Sequence, residues 1–188
     1  MKTVLFIPGF SKRDCTAVID AIASHGYSVK FVPIKYARTT IDNWVAEVDA
    51  IYTKLDPQQT ILAGFSCGAM AALVSASKIN PAELWLFSLS PYFAEDFKNT
   101  LMDPSWGKSL GKRRMTVFEK TYFKKLANNI LCKTILFVGQ YELNEWPIMV
   151  SRQNHAKTML KNSELIIVPN SGHDVTDKKY IQAIKNSI

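Results

Sequence analysis

The 188-residue sequence predicts a three-layer α/β fold in a single domain, residues 1–188. Three observations predict it. Six short runs are almost continuously apolar, as strands buried on both faces of a parallel sheet are. Segments with a helical period of apolar residues separate most of these runs, which indicates successive βαβ units. One interval between runs is much longer than the others and indicates an insertion. We therefore expect a mostly parallel sheet of about six strands with helices on both faces.

The predicted strands are rich in Val, Ile, Leu and Phe. They cover Thr3–Ile7, Ser28–Val32, Thr60–Ala63, Leu84–Leu89, Thr134–Val138 and Leu165–Val168. The first two predicted helices, 14–24 and 41–55, carry apolar residues at helical spacing, so each presents one apolar face to the sheet. Further helices are predicted over 67–78, 148–160 and 177–187.

The interval between Leu89 and Thr134 has no strand signal for more than 40 residues. A structureless loop of that length would be unusual inside a compact domain. The interval also holds too many aromatic residues for a solvated linker, namely Tyr92, Phe93, Phe97, Trp106, Phe118, Tyr122 and Phe123. We therefore predict a small helical insertion, residues 91–129, that lies over one end of the sheet.

The overall composition, 47% hydrophobic and 21% charged, excludes wholesale disorder and fibrous repeats. Cys15, Cys67 and Cys132 form no Cys-x-x-Cys pair and fit a reducing compartment. The N-terminal apolar run ends at Pro8-Gly9, too early for a signal peptide, and no run reaches the length of a membrane span. These features predict a cytoplasmic protein without a membrane span. No His/Cys/Asp cluster has the spacing of metal ligands, and no cofactor is expected.

Residues Gly64-Phe65-Ser66-Cys67-Gly68 form a G-x-S-x-G motif between a predicted strand and an Ala-rich predicted helix. Such a strand-to-helix turn strains the serine backbone and projects its hydroxyl from the end of the sheet. The flanking positions must be glycine because a Cβ there would collide with the neighbouring turn. The motif predicts Ser66 as a nucleophile; the alternative is a tight turn that contains an incidental serine.

A serine nucleophile needs a base within hydrogen-bond reach and a third group that orients the base. His173 follows the last predicted strand, at the sheet edge where Ser66 is expected and where open α/β sheets place their sites. His25 is explained as the end of the first helix, and His155 as part of a solvated helical face. His173 is therefore the predicted base.

The acid is expected at the end of the preceding strand. Glu142 stands three residues after Gly139, which ends that strand, and Glu145 follows one helical turn later. Asp174 is unsuitable because adjacent side chains do not normally turn onto each other's distal atoms. We favour Glu142 and keep Glu145 as the alternative; a solvated acidic loop is the third interpretation.

Acyl transfer also needs hydrogen-bond donors aimed at the oxyanion. The backbone N–H of Cys67, directly after the nucleophile, is one candidate. The loop after the first strand supplies the second, most simply the N–H of Phe10, with Gly9 leaving room for the substrate carbonyl. The Cys67 side chain itself is expected to pack in the core.

Together these residues resemble the α/β-hydrolase superfamily over essentially the whole chain. The resemblance rests on Pro8-Gly9-Phe10, Gly64–Gly68, Gly139–Glu142 and Gly172-His173, in the family order serine, acid, histidine. It implies Ser66 as nucleophile, Glu142 as acid, His173 as base, Phe10 and Cys67 as oxyanion donors, and a cap or lid at 91–129. The chain departs from the family pattern at Pro8, where His is more frequent, and at Glu142, where Asp is more frequent.

The sequence thus predicts a serine hydrolase that cleaves a small-molecule carboxylic ester or thioester through an acyl-enzyme intermediate. The aromatic residues of the insertion predict a pocket for an apolar acyl or alkyl group. The alternative is a non-catalytic binding protein that keeps the same fold.

The net charge of +7 is concentrated in residues 105–125, which hold seven Lys and Arg against one acid, Glu119. Lys112, Arg113 and Arg114 are expected to attract an acidic partner, such as an acyl carrier protein that presents the ester, as in the pimeloyl-carrier methyl esterases that the chain resembles. The other interpretations are a solvated helical face and a nucleic-acid surface. A complete hydrolase framework argues against nucleic acid.

Overall fold

The computed structural model describes residues 1–10 and 14–188. Within these ranges, six parallel strands form one sheet in the order β2-β1-β3-β4-β5-β6. The strands are β1 (Thr3–Ile7), β2 (Ser28–Phe31), β3 (Thr60–Phe65), β4 (Glu83–Phe87), β5 (Lys133–Gly139) and β6 (Ser163–Val168). Because all strands run in the same direction, their carboxyl ends share one edge, and the loops that follow them can meet there.

Helices connect the strands on both sides of the sheet. They are α1 (Thr16–Ala23), α2 (Ile41–Tyr52), α3 (Cys67–Ile79), α4 (Pro104–Leu110), α5 (Lys112–Phe118), α6 (Phe123–Ala127), α7 (Gln140–Glu145), α8 (Pro147–Met159) and α9 (Lys178–Lys185). The predicted three-layer α/β class is confirmed. Among the described helices, none combines the length and hydrophobicity that a bilayer crossing requires.

The core has two layers because successive residues of a strand point to opposite faces of the sheet. Leu5 and Ile7 of β1 pack in the layer formed with α2, α3, α8 and the helices between β4 and β5. Val4 and Phe6 of the same strand pack in the other layer, with α1 and α9. The four inner strands are therefore buried on both faces, which is why their sequences are continuously apolar.

The two outer strands differ from the sequence prediction. Burial on both faces was expected for all six runs, but Phe31 of β2 is 46% exposed and Ile167 of β6 is 50% exposed. Both strands lie at an edge of the sheet, with a single strand neighbour each. The apolar run there reflects β-propensity and partial burial.

The segment between β4 and β5 contains α4, α5 and α6, and a buried ion pair fixes its beginning to α8. Arg152 and Asp96 are only 1% and 3% exposed, and the Arg152 Nη2 and Nε atoms lie 2.6 and 3.0 Å from Asp96 Oδ1. The Arg152 guanidinium also lies over the rings of Phe93 and Phe123, 4.9 and 4.4 Å from their centroids. A buried charge is tolerated when it is paired in this way.

Candidate active site

Ser66 occupies a sharp turn between β3 and α3. Its backbone has φ +56° and ψ −119°, a conformation that non-glycine residues rarely adopt. A Cβ on Gly64 would lie 2.3 Å from the carbonyl oxygen of Gly68, and a Cβ on Gly68 would lie 2.2 Å from that of Pro8. Both contacts are with backbone atoms that cannot turn aside. The motif therefore needs glycine on both sides of the serine, as the sequence predicts.

The structure brings the three residues proposed from the sequence into one hydrogen-bonded row. The Ser66 Oγ lies 3.0 Å from Nε2 of His173, and Nδ1 of His173 lies 2.7 Å from Oε2 of Glu142. A carboxylate only accepts hydrogen bonds. In the tautomer that pairs Nδ1–H with a Glu142 carboxylate, Nε2 of His173 is the atom that accepts from the Ser66 hydroxyl. The His173 ring packs between Phe65 and Trp146, with centroid distances of 4.8 and 5.7 Å.

Glu142 belongs to the first turn of α7. It is buried, and its Oε1 accepts hydrogen bonds from the Gly139 N–H at 2.9 Å and the Ser88 hydroxyl at 2.5 Å. Glu145, the alternative acid, lies at the end of the same helix with its side chain exposed. Of the two candidates, Glu142 is the one hydrogen-bonded to His173.

Two residues that carry no sequence signal, Ser88 and Tyr180, form a hydrogen-bonded pair beside Glu142. Ser88 follows β4 with φ +49°, and its Oγ lies 2.9 Å from the hydroxyl of Tyr180 on α9. Both side chains are fully buried. Burial, and then the charge of Glu142, raise the pKa of Tyr180 well above its ordinary value, so the phenol keeps its proton. No sequence motif marks either residue.

A third residue missed by the sequence analysis is Ser90, whose Oγ lies 3.1 Å from that of Ser66. It is buried and lines the same cavity as the Ser66 hydroxyl. The neighbouring Cys67 is also buried, and burial raises its pKa to about 12, against a weaker opposing effect of a hydrogen bond with Ser90. Cys67 thus stays a neutral thiol and packs in the core, in line with the expectation for its side chain.

The loop after β1 passes directly beside the serine. A Cβ on Gly9 would lie 3.2 Å from that of Ser66 and 2.8 Å from a ring carbon of Phe65. The exposed ring of the next residue, Phe10, packs against that of Tyr36 in a tilted arrangement, with the centroids 5.4 Å apart, and the Arg114 guanidinium lies 4.8 Å from the Phe10 centroid. These contacts hold the predicted donor residue of this loop next to the site, while Cys67 begins α3 on the other side.

A cavity of about 260 Å³ opens beside Ser66 and His173. Three aromatic residues form much of its wall: Tyr92 and Trp106 from the segment between β4 and β5, and Trp146 between α7 and α8. No Lys, Arg, Asp or Glu side chain is among the lining residues that the structure describes. The volume is near the lower limit of typical ligand pockets, roughly 300 Å³.

The three basic residues that the sequence predicts as partner contacts, Lys112, Arg113 and Arg114, are not equivalent. The Arg114 guanidinium donates to the backbone carbonyls of Thr39 and Leu110 at 3.0 and 2.9 Å and to that of Tyr36. It is therefore held within the fold. Lys112 and Arg113 are exposed; Arg113 Nη1 donates one hydrogen bond, to the Arg38 carbonyl at 3.2 Å, and both side chains are accessible to a partner. Across residues 1–10 and 14–188, no group of three or more His, Cys, Asp and Glu side chains is placed to hold a metal ion.

The candidate site thus lies at one edge of a parallel sheet. It combines the strained Ser66 after β3 with Glu142, which follows β5, and His173, which follows β6. No protein-family model and no curated protein matches the sequence. Solved structures do match. Est1E from Butyrivibrio proteoclasticus, determined with bound ferulic acid, is 16% identical, with 99% of this chain and 87% of that chain covered and a TM-score of 0.78.

Two further solved structures match the fold of this chain. MGS-MChE2, an α/β hydrolase enzyme from a sediment metagenome of the Mar Chica lagoon in Morocco, is 15% identical, with 98% and 89% of the chains covered and a TM-score of 0.73. The thioesterase domain of the curacin biosynthetic pathway is 16% identical, with 97% and 89% covered and a TM-score of 0.64. The chain has the α/β-hydrolase fold, which confirms the resemblance at the level of architecture.

Proposed function

We propose that this protein is a serine hydrolase that cleaves carboxylic esters through an acyl-enzyme intermediate. The row of hydrogen bonds from Ser66 through His173 to Glu142 carries the proposal. It unites a nucleophile, a base and an orienting acid in the geometry that this chemistry requires. The strained backbone at Ser66 supports the same conclusion, because strain of this kind concentrates at functional sites.

In the first half of the proposed reaction, the Ser66 Oγ attacks the ester carbonyl carbon while His173 Nε2 takes the serine proton. The resulting oxyanion accepts hydrogen bonds from the backbone N–H groups of Cys67 and Phe10. The tetrahedral intermediate then expels the alkoxide, which receives the proton from His173 and leaves as the alcohol. The acyl group stays on Ser66 as an ester.

In the second half, a water molecule gives a proton to His173 Nε2 and attacks the acyl-enzyme carbonyl. The new tetrahedral intermediate expels the Ser66 oxygen, which takes the proton back from His173. The products are the free acid and the original enzyme. Throughout, Glu142 holds Nδ1–H and stabilises the positive charge that forms on the ring.

The cavity supports a small, uncharged acyl or alkyl group as the part of the substrate that is bound. Its aromatic wall favours apolar, flat groups. Its volume disfavours long chains, and an anionic group would find no Lys or Arg among the described lining residues. Est1E, which shares the fold, is known with ferulic acid bound, and a planar aromatic acyl group is therefore the first to test here.

The same site serves a carrier-bound ester if the exposed Lys112 and Arg113 attract an acidic acyl carrier protein. Activity on such a substrate then falls steeply with salt and in the Lys112→Glu, Arg113→Glu variant. The matched control is Lys54→Glu, Lys78→Glu, which makes the same charge change at two exposed residues outside the basic stretch, just after α2 and at the end of α3. If neither added salt nor the charge reversal at Lys112 and Arg113 lowers the activity, the substrate is a free ester.

The deciding experiment is labelling with a fluorophosphonate probe, followed by turnover of p-nitrophenyl esters and thioesters with acetyl, butyryl, octanoyl and benzoyl groups. We expect labelling of the unaltered protein and loss of labelling in Ser66→Ala and His173→Ala. Ser75→Ala, which alters another buried serine far along α3, is the matched control and keeps the label. Labelling that persists in Ser66→Ala refutes the nucleophile. An unlabelled, inactive protein indicates a non-catalytic binding function.

A further inference from the structure

We propose that Tyr180 and Ser88 are positioning residues that orient Glu142 through a one-way chain of hydrogen bonds. Tyr180 donates to Ser88, Ser88 donates to Glu142 Oε1, and the other carboxylate oxygen is thereby left to His173. This proposal rests on the proposed function, because the orientation of Glu142 matters to catalysis only if His173 is the base.

The direction of the chain follows from counting protons. In the proposed function Glu142 acts as a carboxylate and has no proton to give, so the Ser88 hydroxyl, 2.5 Å away, is the donor. A hydroxyl has one proton, and that of Ser88 is now committed. The Tyr180 hydroxyl, 2.9 Å from Ser88 Oγ, must therefore donate to it. The negative charge on Glu142 therefore fixes which group donates and which accepts in both hydrogen bonds.

These hydrogen bonds give the two carboxylate oxygens of Glu142 different partners. Oε1 receives both the Ser88 hydroxyl and the Gly139 N–H, at 2.5 and 2.9 Å. Oε2 faces Nδ1 of His173 at 2.7 Å. Rotation of the carboxylate would break the two donated bonds on Oε1 in a region closed to solvent, since Glu142 is 1% exposed. The carboxylate is held in the one orientation that presents a free lone pair to the imidazole.

The backbone at Ser88 supports a positioning role over incidental packing. Its φ of +49° is rare for a non-glycine residue, and its N–H is bonded to the Phe137 carbonyl at 2.7 Å. This conformation aims the hydroxyl at Glu142, across the end of the sheet. Tyr180, from the last helix, then closes the chain from the opposite side.

The first arm of the experiment measures steady-state kinetics, normalised by active-site titration so that unfolded protein does not contribute. Tyr180→Phe removes a single oxygen atom and is expected to lower kcat about three- to tenfold with KM unchanged. The matched control is Tyr52→Phe, which removes a phenolic oxygen bonded to the Ile79 carbonyl on the far part of α3. Ser88→Ala removes a donor to a charged group and is expected to lower kcat about ten- to a hundredfold.

The second arm needs no activity. It follows the low-field proton resonance of His173 Nδ1–H, assigned by its loss in His173→Gln. We expect the resonance unchanged in Tyr52→Phe, shifted in Tyr180→Phe, and shifted or broadened by exchange with water in Ser88→Ala.

The proposal is overturned if Tyr180→Phe and Ser88→Ala match Tyr52→Phe in kcat and leave the resonance in place. Should the unaltered protein be neither labelled nor active, the proposed function fails. The resonance then still decides whether the chain orients Glu142.

Discussion

Glu142 Oε2 and His173 Nδ1 lie 2.7 Å apart, although 31 residues separate them in the sequence. The contact forms because β5 and β6 are neighbouring parallel strands, so the residues that follow them meet at one edge of the sheet. Glu145, one turn along α7, has an exposed side chain.

Glu142→Gln is therefore expected to lower kcat by roughly a thousand- to ten-thousandfold, because an amide in place of the carboxylate favours the wrong imidazole tautomer. Glu145→Gln, the matched control, is expected to keep the activity of the unaltered protein. Ester turnover measures both. A loss confined to Glu145→Gln would assign the acid to the other residue.

Replacing Ser90 tests the second hydroxyl beside the nucleophile. If Ser66 gives its proton to His173, Ser90 is the donor across the 3.1 Å contact and stabilises negative charge on the attacking oxygen. Ser90→Ala is expected to lower the rate of fluorophosphonate labelling about three- to tenfold. Ser109→Ala, which removes another hydroxyl from the cavity wall, is expected to label normally. Equal rates in the two variants would assign Ser90 to the wall alone.

The glycine after the nucleophile has two opposing effects on stability. Gly68→Ala gains about 1 kcal/mol in helix propensity at the start of α3. The added Cβ meets the Pro8 carbonyl at 2.2 Å, and forcing backbone apart costs about 3 kcal/mol, so the clash dominates. Urea unfolding is expected to show a net loss of about 2 kcal/mol. Gly172→Ala, where the nearest atom to the new Cβ is 4.0 Å away, should unfold within about 0.5 kcal/mol of the unaltered protein.

The surroundings of His155 predict that the free energy of unfolding depends on pH. Burial and then the charge of Arg152 lower the pKa of His155 below 6.5, against smaller opposing effects of Glu95 and Asp96; Lys124 lowers it further. The unfolded chain then binds more protons than the folded one as pH drops below 6.5. The contribution of neutral His155 to stability is complete above that pH and is lost as pH falls towards the lowered pKa. The Tm of the unaltered protein should decline over this range more than that of His155→Gln.

The control for this measurement is His25→Gln, which removes an exposed histidine at the end of α1. Its Tm should follow the unaltered protein at every pH. Parallel Tm curves for His155→Gln and His25→Gln would show that His155 has no such effect.

The main features of the fold could be predicted because they are local in sequence. A buried parallel strand is a short apolar run, and the turn at Ser66 needs two glycines at fixed spacing. Topology then accounts for Glu142 and His173, since both follow strands that end at the same edge. The exposed faces of β2 and β6 were missed because an edge strand and a central strand can have equally apolar sequences.

Other contacts had no sequence signal. Ser88 and Ser90 lie in the loop after β4, and Tyr180 lies on α9, with no sequence motif at any of the three. Their hydroxyl groups make hydrogen bonds with residues 24 to 92 positions away in the sequence. The pairing of Asp96 with Arg152 is similar, because 56 positions separate the two residues along the sequence. Spacing rules describe neighbours along the chain, and contacts of this kind depend on three-dimensional packing.

The Ser66 and His173 side chains come from positions 107 residues apart. A chain that has formed only β1, β3 and α3 has a serine with an ordinary, weakly nucleophilic hydroxyl. If Ser66 is the nucleophile, we expect it to become reactive only when β6 has joined the sheet and the loop after it has brought His173 to Ser66. This step is expected to be late in folding, because contacts between distant residues require the ordering of a large loop. Partly folded molecules that lack this contact are then expected not to react with the probe. Recovery of fluorophosphonate labelling during refolding therefore reports on completed tertiary structure.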